Sequence, residues 1–312
     1  MSQQRTLSAV AVALLLAAMA CQAAPEATDE TPPPSPPTPP PSVVEITTTN
    51  YAFNAPPSFP SGWVTLHLTN EAEEPHFMTL TRLPEGHTFE EYSRDVAGPF
   101  AALYKEYRAG TLDQAEFFAQ LTAALPAWFP AEARGGVALT SPGQSAQTTV
   151  YLEPGDYVME CYVRPPDPEG DKFHGELGML RPLVVTAEST DATPPEADVE
   201  ITLSNYEITV EGELTAGTHT IAVHVAEAPE GLIGHDVNLV RLEPDDDLTE
   251  IAAWMSWVDA LQSPAPALFL GGAEQAEPGL TSYVTIDLDP GRYAWVSEGY
   301  GAQGMVKEFT IQ

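Results

Sequence analysis

The chain has 312 residues, which is enough for two domains of ordinary size, and it is strongly acidic. It carries 12 Lys and Arg residues against 45 Asp and Glu residues, so its formal net charge is −33. No basic surface is available to displace counterions from phosphates, so the composition argues against nucleic acid as a partner.

The first twenty residues predict a secretion signal. Arg5 precedes an apolar stretch from Ala9 to Ala20 that is too short to span a bilayer. The small residues before Cys21 resemble a bacterial lipoprotein signal, in which this cysteine becomes the lipidated first residue. We therefore predict a lipoprotein signal peptide at residues 1–20, lipidation of Cys21 and an extracytoplasmic, membrane-anchored protein. Secretion after Ala20 or Ala24 without a lipid is the alternative.

A Pro-rich segment follows the predicted lipidation site. Residues 21–42 contain the run Pro32–Pro41, in which eight of ten residues are proline. Such a run favours extended polyproline II, with a rise of about 3.1 Å per residue. We predict a tether between the membrane and the folded part of the chain.

Most of the remaining sequence predicts short strands. Residues 63–68 and 145–152 alternate apolar and polar side chains, and Pro and Gly separate such segments. Many short strands without strand–helix alternation favour a mainly β fold, a β-sandwich. In residues 156–163 the period of two places Tyr157, Met159 and Cys161 on one face of a strand.

The sequence contains an internal repeat. Residues 44–51 recur as 199–206, 76–83 as 235–242, Gly155-Asp-Tyr157 as Gly291-Arg-Tyr293, and Gly178-Met179 as Gly304-Met305. A repeat of this length predicts two related domains. We place them at residues 43–187 and 198–312, joined by a linker at residues 188–197.

Each predicted domain has a helical insert. Thr88-x-x-Glu91 and Thr111-x-x-Gln114 have the form of capping boxes and predict two helix starts in the first insert. Residues 248–261 predict a helix in the second. We interpret the inserts as packed lids over a sandwich edge; a cover that shields a metal or receives a partner is the alternative.

Four side chains of the first repeat could bind a metal. His76 follows Pro75, Cys161 ends a predicted strand, and His174 and Met179 lie on the next loop. Two imidazoles, a thiolate and a weak thioether are the donor set of copper electron-transfer sites. If Cys21 carries lipid, Cys161 is the one thiol of the mature chain. Metal ligation explains such a thiol better than the alternative, a small buried strand residue.

These residues resemble the copper-binding half of the cupredoxins, the plastocyanin and azurin family. That family has a Gly-x-Tyr-x-x-x-Cys strand end and a His-x-x-x-x-Met loop, which match Gly155, Tyr157, Cys161, His174 and Met179. The resemblance implies two tandem Greek-key β-sandwiches, with one copper per chain held by His76, Cys161, His174 and Met179. Twelve residues separate Cys161 from His174, more than in most members of the family.

The second repeat lacks half of this set. Ser297 and Tyr300 occupy the places of the thiol and the second imidazole, whereas His235 and Met305 remain. We predict a degenerate domain without a blue-copper centre; the alternative is a weak metal site that combines His235 with Met305 or Glu298. We predict structural roles for the other histidines, namely His67, His87, His219 and His224.

The leading functional prediction is a type 1-like mononuclear copper protein that carries single electrons between a donor and an acceptor protein, both unknown. Copper storage or delivery, and a metal-free interaction module, are the alternatives. An enzyme is disfavoured, because multicopper oxidases need several His-x-His pairs and this sequence has none. A nitrite reductase needs extra histidines for a second copper, and the candidates here are few.

Overall fold

The computed structural model describes residues 39–129, 131–168, 170–227 and 233–312. The predicted signal peptide, Cys21 and most of the Pro-rich tether lie outside these ranges. No helix within the described residues is both long and apolar enough to cross a bilayer. The described part of the chain is mainly β, and this confirms the fold class predicted from the alternating strands.

Eight strands form the first half of the described chain. They are β1 (Ser42–Thr49), β2 (Ala52–Asn54), β3 (Ser58–Asn70), β4 (His76–Arg82), β5 (Glu132–Thr140), β6 (Ser145–Leu152), β7 (Gly155–Glu160) and β8 (Leu180–Ser189). One sheet pairs β1 parallel to β3 and β3 antiparallel to β6. The other is antiparallel in the order β5-β4-β7-β8. Side chains of both sheets share one core, to which the first contributes Leu66 and the second Phe77 and Tyr157.

Eight strands of the second half pair in the same way. They are β9 (Val199–Ser204), β10 (Glu207–Glu211), β11 (Gly217–Val225), β12 (Val237–Leu242), β13 (Leu268–Ala273), β14 (Thr281–Leu288), β15 (Gly291–Val296) and β16 (Val306–Ile311). Here β9 is parallel to β11, which is antiparallel to β14. The second sheet runs β13-β12-β15-β16. These strand pairs of the first half therefore recur in the second, whereas the parallel pair of β3 with β8 is found in the first half.

Both sheets continue from one half into the other. Strand β6 pairs with β14 through Thr148 and Val284, and β5 pairs with β13 through Val137 and Ala273. The described residues accordingly belong to one compact unit. The stretch between the end of β8 at Ser189 and the start of β9 contains no strand. The domain limits at 43–187, 188–197 and 198–312 stay a prediction.

The first helical insert lies between β4 and β5. It contains α1 (Phe89–Tyr92), a π-helical turn (Ser93–Ala97), α2 (Gly98–Arg108) and α3 (Gln114–Ala124). The predicted capping box of Thr88 and Glu91 is confirmed. The predicted helix start at Thr111 is wrong, because Asp113 caps α3 and forms the box with Glu116. The Thr111 N–H donates to the carbonyl of Glu106, so Thr111 belongs to the end of α2.

The second insert is shorter than predicted. Helix α4 (Leu248–Trp254) ends seven residues before Leu261, so the prediction of one helix over 248–261 is wrong. Leu261 has a left-handed backbone with φ of 50°, and its carbonyl accepts from the N–H of Arg164. The segment after α4 therefore turns back to hold the loop that follows Cys161. The Tyr104 hydroxyl on α2 donates to the Val258 carbonyl, so the two inserts pack together.

Candidate metal centre

Three predicted ligands come together at one end of the first half. His76 begins β4, Cys161 directly follows β7, and His174 directly precedes a π-helical turn at Gly175–Met179. None of the three side chains has measurable exposure. The N–H of Cys161 donates to the carbonyl of Met179 at 3.0 Å, and the N–H of His174 donates to the carbonyl of Val163 at 2.8 Å. These two bonds hold the end of the long loop between Cys161 and His174 close to its start at the end of β7.

The three donor atoms form a compact triangle. The Cys161 Sγ lies 3.8 Å from the His76 Nδ1 and 3.6 Å from the His174 Nδ1, and the two Nδ1 atoms are 3.0 Å apart. A circle through these three atoms has a radius of about 2.0 Å. Metal–nitrogen and metal–thiolate bonds in proteins are about 2.0 to 2.3 Å long. An ion at the centre would reach all three atoms with almost no movement of the chain.

Met179 lies beside this triangle in the chain and in the core. Its side chain is fully buried in the same apolar cluster as Cys161. The turn that carries it needs the preceding glycine, because Gly178 has a φ of 136° and a Cβ there would lie 2.6 Å from the Tyr51 carbonyl oxygen. The role of Met179 as a fourth ligand stays a prediction.

Burial keeps both imidazoles neutral. It lowers the pKa of His76 to about 3, helped by the charge of His174 and partly offset by a hydrogen bond to the Asn50 backbone. Burial also lowers the pKa of His174, against the opposing effect of Glu74. Neutral imidazoles have the free lone pair that a metal requires. Burial raises the pKa of the Cys161 thiol, so the thiolate forms when a cation compensates its charge.

A carboxylate orients His174. The His174 Nε2 lies 3.0 Å from the Glu74 Oε2, and the Tyr51 hydroxyl donates to the Glu74 Oε1 at 2.8 Å. Burial raises the pKa of Glu74, but the hydrogen bonds from His174 and Tyr51 outweigh it, and the net shift is downward. An ionised Glu74 accepts a hydrogen bond from the Nε2–H of His174, which keeps the proton on Nε2 and leaves the Nδ1 lone pair toward the triangle. The sequence analysis missed this role, and only the place of Glu74 two residues before His76 hinted at it.

Asn70 fixes the loop that leads to His76. Its Nδ2 donates to the carbonyls of Glu74 and Thr140, both at 2.8 Å. Its Oδ1 accepts from the Thr48 hydroxyl and from the Ala72 N–H, both at 2.9 Å. The side chain is fully buried, and these four bonds use its whole hydrogen-bonding capacity. Asn70 therefore ties the loop to β1 and β5.

The second repeat builds a different arrangement at the corresponding place. His235 is buried against the rings of Tyr206 and Tyr300. The Ser297 hydroxyl donates to the Asp236 Oδ1 at 2.7 Å. Among the described residues, only His76, Cys161 and His174 bring three His, Cys, Asp or Glu donor atoms within 4.8 Å of one another. Whether the second repeat binds a metal stays a matter of prediction.

The four histidines for which we predict structural roles each have a side-chain contact, and the His224 Nδ1 lies 3.1 Å from the Thr281 Oγ1. His67 is paired with Glu45 at 2.7 Å, and His219 is paired with Asp198 at 2.6 Å. His87 stacks on Trp128, with ring centres 4.6 Å apart. The His87 side chain is 30% exposed.

Three buried carboxyl groups lie where the two halves meet. Asp236, Glu274 and Glu298 are each at most 3% exposed. Burial raises the pKa of all three, and the charge of Asp236 raises the pKa of Glu274 and Glu298 further. The Tyr162 hydroxyl, next to Cys161 in sequence, donates to the Glu298 Oε2 at 3.4 Å. The sequence analysis considered Glu298 only as an alternative ligand and did not anticipate the cluster.

Comparison with solved structures returns auracyanins and a multicopper oxidase. The chain is similar to reduced auracyanin from Roseiflexus castenholzii, with 22% identity over 47% of this chain and 98% of that one, at a TM-score of 0.28. Auracyanin A from Chloroflexus aurantiacus, a blue copper protein, shows 18% identity over 47% of this chain and 99% of that one, also at 0.28. A multicopper oxidase shows 13% identity over 86% of this chain and 88% of that one, at 0.22. No protein-family model and no curated protein matches the sequence.

Proposed function

We propose that this chain is an extracytoplasmic, membrane-anchored, mononuclear copper protein of the type 1-like kind, and that it transfers one electron at a time. The observation that carries the proposal is the triangle of His76, Cys161 and His174 with its radius of about 2.0 Å. Two imidazole nitrogens and one thiolate in a trigonal arrangement suit electron-transfer copper. Met179 is proposed as a fourth, weak ligand, and one copper per chain is proposed.

Bound copper would supply a one-electron couple, and the chain holds its donor atoms ready. His76 and Cys161 lie at the ends of two paired strands, so their spacing follows from the sheet. Glu74 orients the imidazole ring of His174, and Asn70 fixes the position of the loop before His76. Full burial of all three donors keeps water out. A site that needs little rearrangement between two charge states favours rapid electron transfer.

Lipidation of Cys21 is proposed to anchor the protein, with residues 21–42 as the tether. The donor and acceptor are proposed to be other redox proteins that dock on the folded part. With a net charge of −33, a basic partner would be attracted most strongly, and its association would slow as salt is added.

The main competing function is copper storage or delivery. That function needs ligands that a partner or chelator can reach, and the three proposed ligands are fully buried. Burial therefore favours electron transfer over exchange of the metal. A non-enzymatic role is also proposed, because the sequence has no His-x-His pair for a multinuclear cluster.

The test is titration of the metal-free full chain with Cu(II), followed by absorption spectroscopy. We expect an intense visible thiolate band that saturates at one copper per chain. Cys161→Ser should abolish the band. Cys21→Ser, the same substitution at the other cysteine, is the control and should keep the band. Loss of the copper to a mild chelator would favour delivery instead, and absence of the band would favour a metal-free module.

A further inference from the structure

A large cavity lies beside the metal centre. Its volume is about 740 Å³, and it lies between the first helical insert and the sheet of β4, β5 and β7. Trp257 and Gln275 of the second half close one side. Pockets of about 300 to 1,000 Å³ are the size that binds organic molecules of moderate size. None of the four proposed copper ligands lines the cavity.

One wall of the cavity is a continuous aromatic surface. The ring centre of Phe100 lies 4.9 Å from that of Phe173 and 5.3 Å from that of Trp257. These rings pack on each other instead of surrounding a single point, so they offer a surface to a flat ring and do not form a cage for an ammonium group. The shape of this wall favours an aromatic ligand.

Another part of the lining presents one unused hydrogen-bond acceptor. The Glu160 Oε2 accepts from the Tyr92 hydroxyl at 3.1 Å. Among the described residues the Glu160 Oε1 has no partner, and this side chain lines the cavity. A ligand that donates a hydrogen bond would satisfy this oxygen.

The other charges around the cavity select against anions. Glu176 and Glu277 also line it, and both already accept from backbone N–H groups, those of Phe173 and Ala133. No Lys, Arg or His is among the described residues that line the cavity. An anionic ligand would therefore meet three carboxyl groups without any compensating positive charge.

We propose that this cavity binds a neutral aromatic hydroxy compound about two fused rings in size. Its hydroxyl donates to the Glu160 Oε1, and its rings pack against Phe100 and Trp257. The site lies next to the metal centre in sequence, because Glu160 and Tyr162 flank Cys161 and Gly175 follows His174. It is nevertheless a separate site, since binding to it requires no metal.

The experiment uses the metal-free full chain and 2-naphthol, with binding followed by calorimetry. The paired probe is 2-methoxynaphthalene, which keeps the rings and has no hydroxyl donor. We expect 2-naphthol to bind about tenfold more tightly, the size of one good hydrogen bond. Glu160→Gln should reduce this preference. Equal affinity for the two probes, no binding of either, or tighter binding of naphthalene-2-sulfonate would overturn the proposal.

Two variants of α2 locate the site. Ala101 lines the cavity, whereas its neighbour Ala102 is exposed and does not. Ala101→Phe should fill part of the cavity and weaken 2-naphthol binding by about tenfold or more, and Ala102→Phe should leave it within about twofold. The urea midpoint of each variant shows whether it is folded. If Ala101→Phe is folded and binds as tightly as the wild type, the probe lies elsewhere and the proposal is wrong. If it does not fold, the comparison of the two probes on the wild type decides.

Discussion

The Cys161 Sγ and the His76 Nδ1 lie 3.8 Å apart, although 85 positions separate the two residues in sequence. Their strands are neighbours, and Leu80 on β4 faces Met159 on β7. A shift of this register by one residue would turn every side chain of one strand to the opposite face. The distance between thiol and imidazole therefore depends on one strand pair and on the apolar core that fixes its register.

Removing the partner of His174 should weaken metal binding. In Glu74→Gln the His174 Nε2 loses its carboxylate acceptor, so the ring is held less firmly with Nδ1 toward the metal. We expect the copper affinity to fall by roughly 10-fold to 100-fold, the usual range for such partners. Competition with a chelator of known affinity measures this. Glu73→Gln, a change at the exposed neighbouring residue, should leave the affinity unaltered.

The repeat offers a matched pair of glycines. Gly178 and Gly304 both have positive φ, at 136° and 102°. A Cβ at Gly178 would lie 2.6 Å from the Tyr51 carbonyl oxygen, whereas a Cβ at Gly304 meets nothing within 4 Å. Both Gly→Ala variants should lose about 1 kcal/mol from backbone strain, and Gly178→Ala should lose about 1–3 kcal/mol more from the clash. Urea unfolding of the metal-free protein compares them, and equal losses would contradict the contact.

Replacing Asn70 should destabilise the fold and the centre together. Asn70→Ala leaves the buried carbonyl of Thr140, the part-buried carbonyl of Glu74, the Ala72 N–H and the Thr48 hydroxyl without their partner. We expect a loss of about 2–4 kcal/mol in the free energy of unfolding, because unsatisfied buried groups cost about 1–3 kcal/mol each and relaxation recovers part of that. Asn54→Ala on the exposed end of β2 should change stability by less than about 0.5 kcal/mol. A loss at Asn70 no larger than at Asn54 would contradict the network.

The buried carboxyl groups should make stability fall as pH rises. Burial raises the pKa of Glu160 to about 7 and raises the pKa of Glu274 and Glu298 well above the unfolded value of 4.5. Above pH 4.5 the unfolded state has released these protons and the folded state retains them. The stability they contribute is therefore lost as pH rises through the folded values. His76 acts oppositely between its pKa of about 3 and the ordinary value of 6.5.

Glu274→Gln tests this directly. It removes one buried acid, so the loss of unfolding free energy between about pH 5 and about pH 8 should shrink by roughly 1–3 kcal/mol. Urea unfolding of the metal-free protein across that range provides the measurement. Glu250→Gln at an exposed site of α4 is the control and should leave the slope unchanged. An unchanged slope in Glu274→Gln would mean that this acid is not protonated in the folded state.

The sequence analysis was most successful where chemistry and periodicity act locally. The strand predicted at 145–152 has the bounds of β6, and the buried face of Tyr157, Met159 and Cys161 follows from the period of two. The donor residues His76, Cys161 and His174 could be selected because few side chains bind copper and their order in the chain is informative. The structure shows that they meet; their role as ligands stays a proposal.

Local sequence signals do not determine the structure where several of them compete or where the contacts are distant in sequence. Thr111 and Asp113 are both good capping residues, and the sequence does not show that the Thr111 N–H completes the end of α2. Glu74 is one of several acids in its loop. Which of these acids pairs with His174 depends on the position of that residue, 100 residues later in the chain. The pairs β5–β13 and β6–β14 depend on which strand edges meet, which alternation alone does not encode.

Through the pairs β5–β13 and β6–β14, the second half has a structural role that does not depend on metal binding. Strands β5 and β6 would each present an unpaired row of backbone N–H and C=O groups if the chain ended after β8. Such open edges recruit other chains and promote aggregation. The second half covers both edges, so its strands protect the first half from aggregation whether or not they hold a metal. A chain truncated after residue 189 would then aggregate, although it would still contain His76, Cys161 and His174.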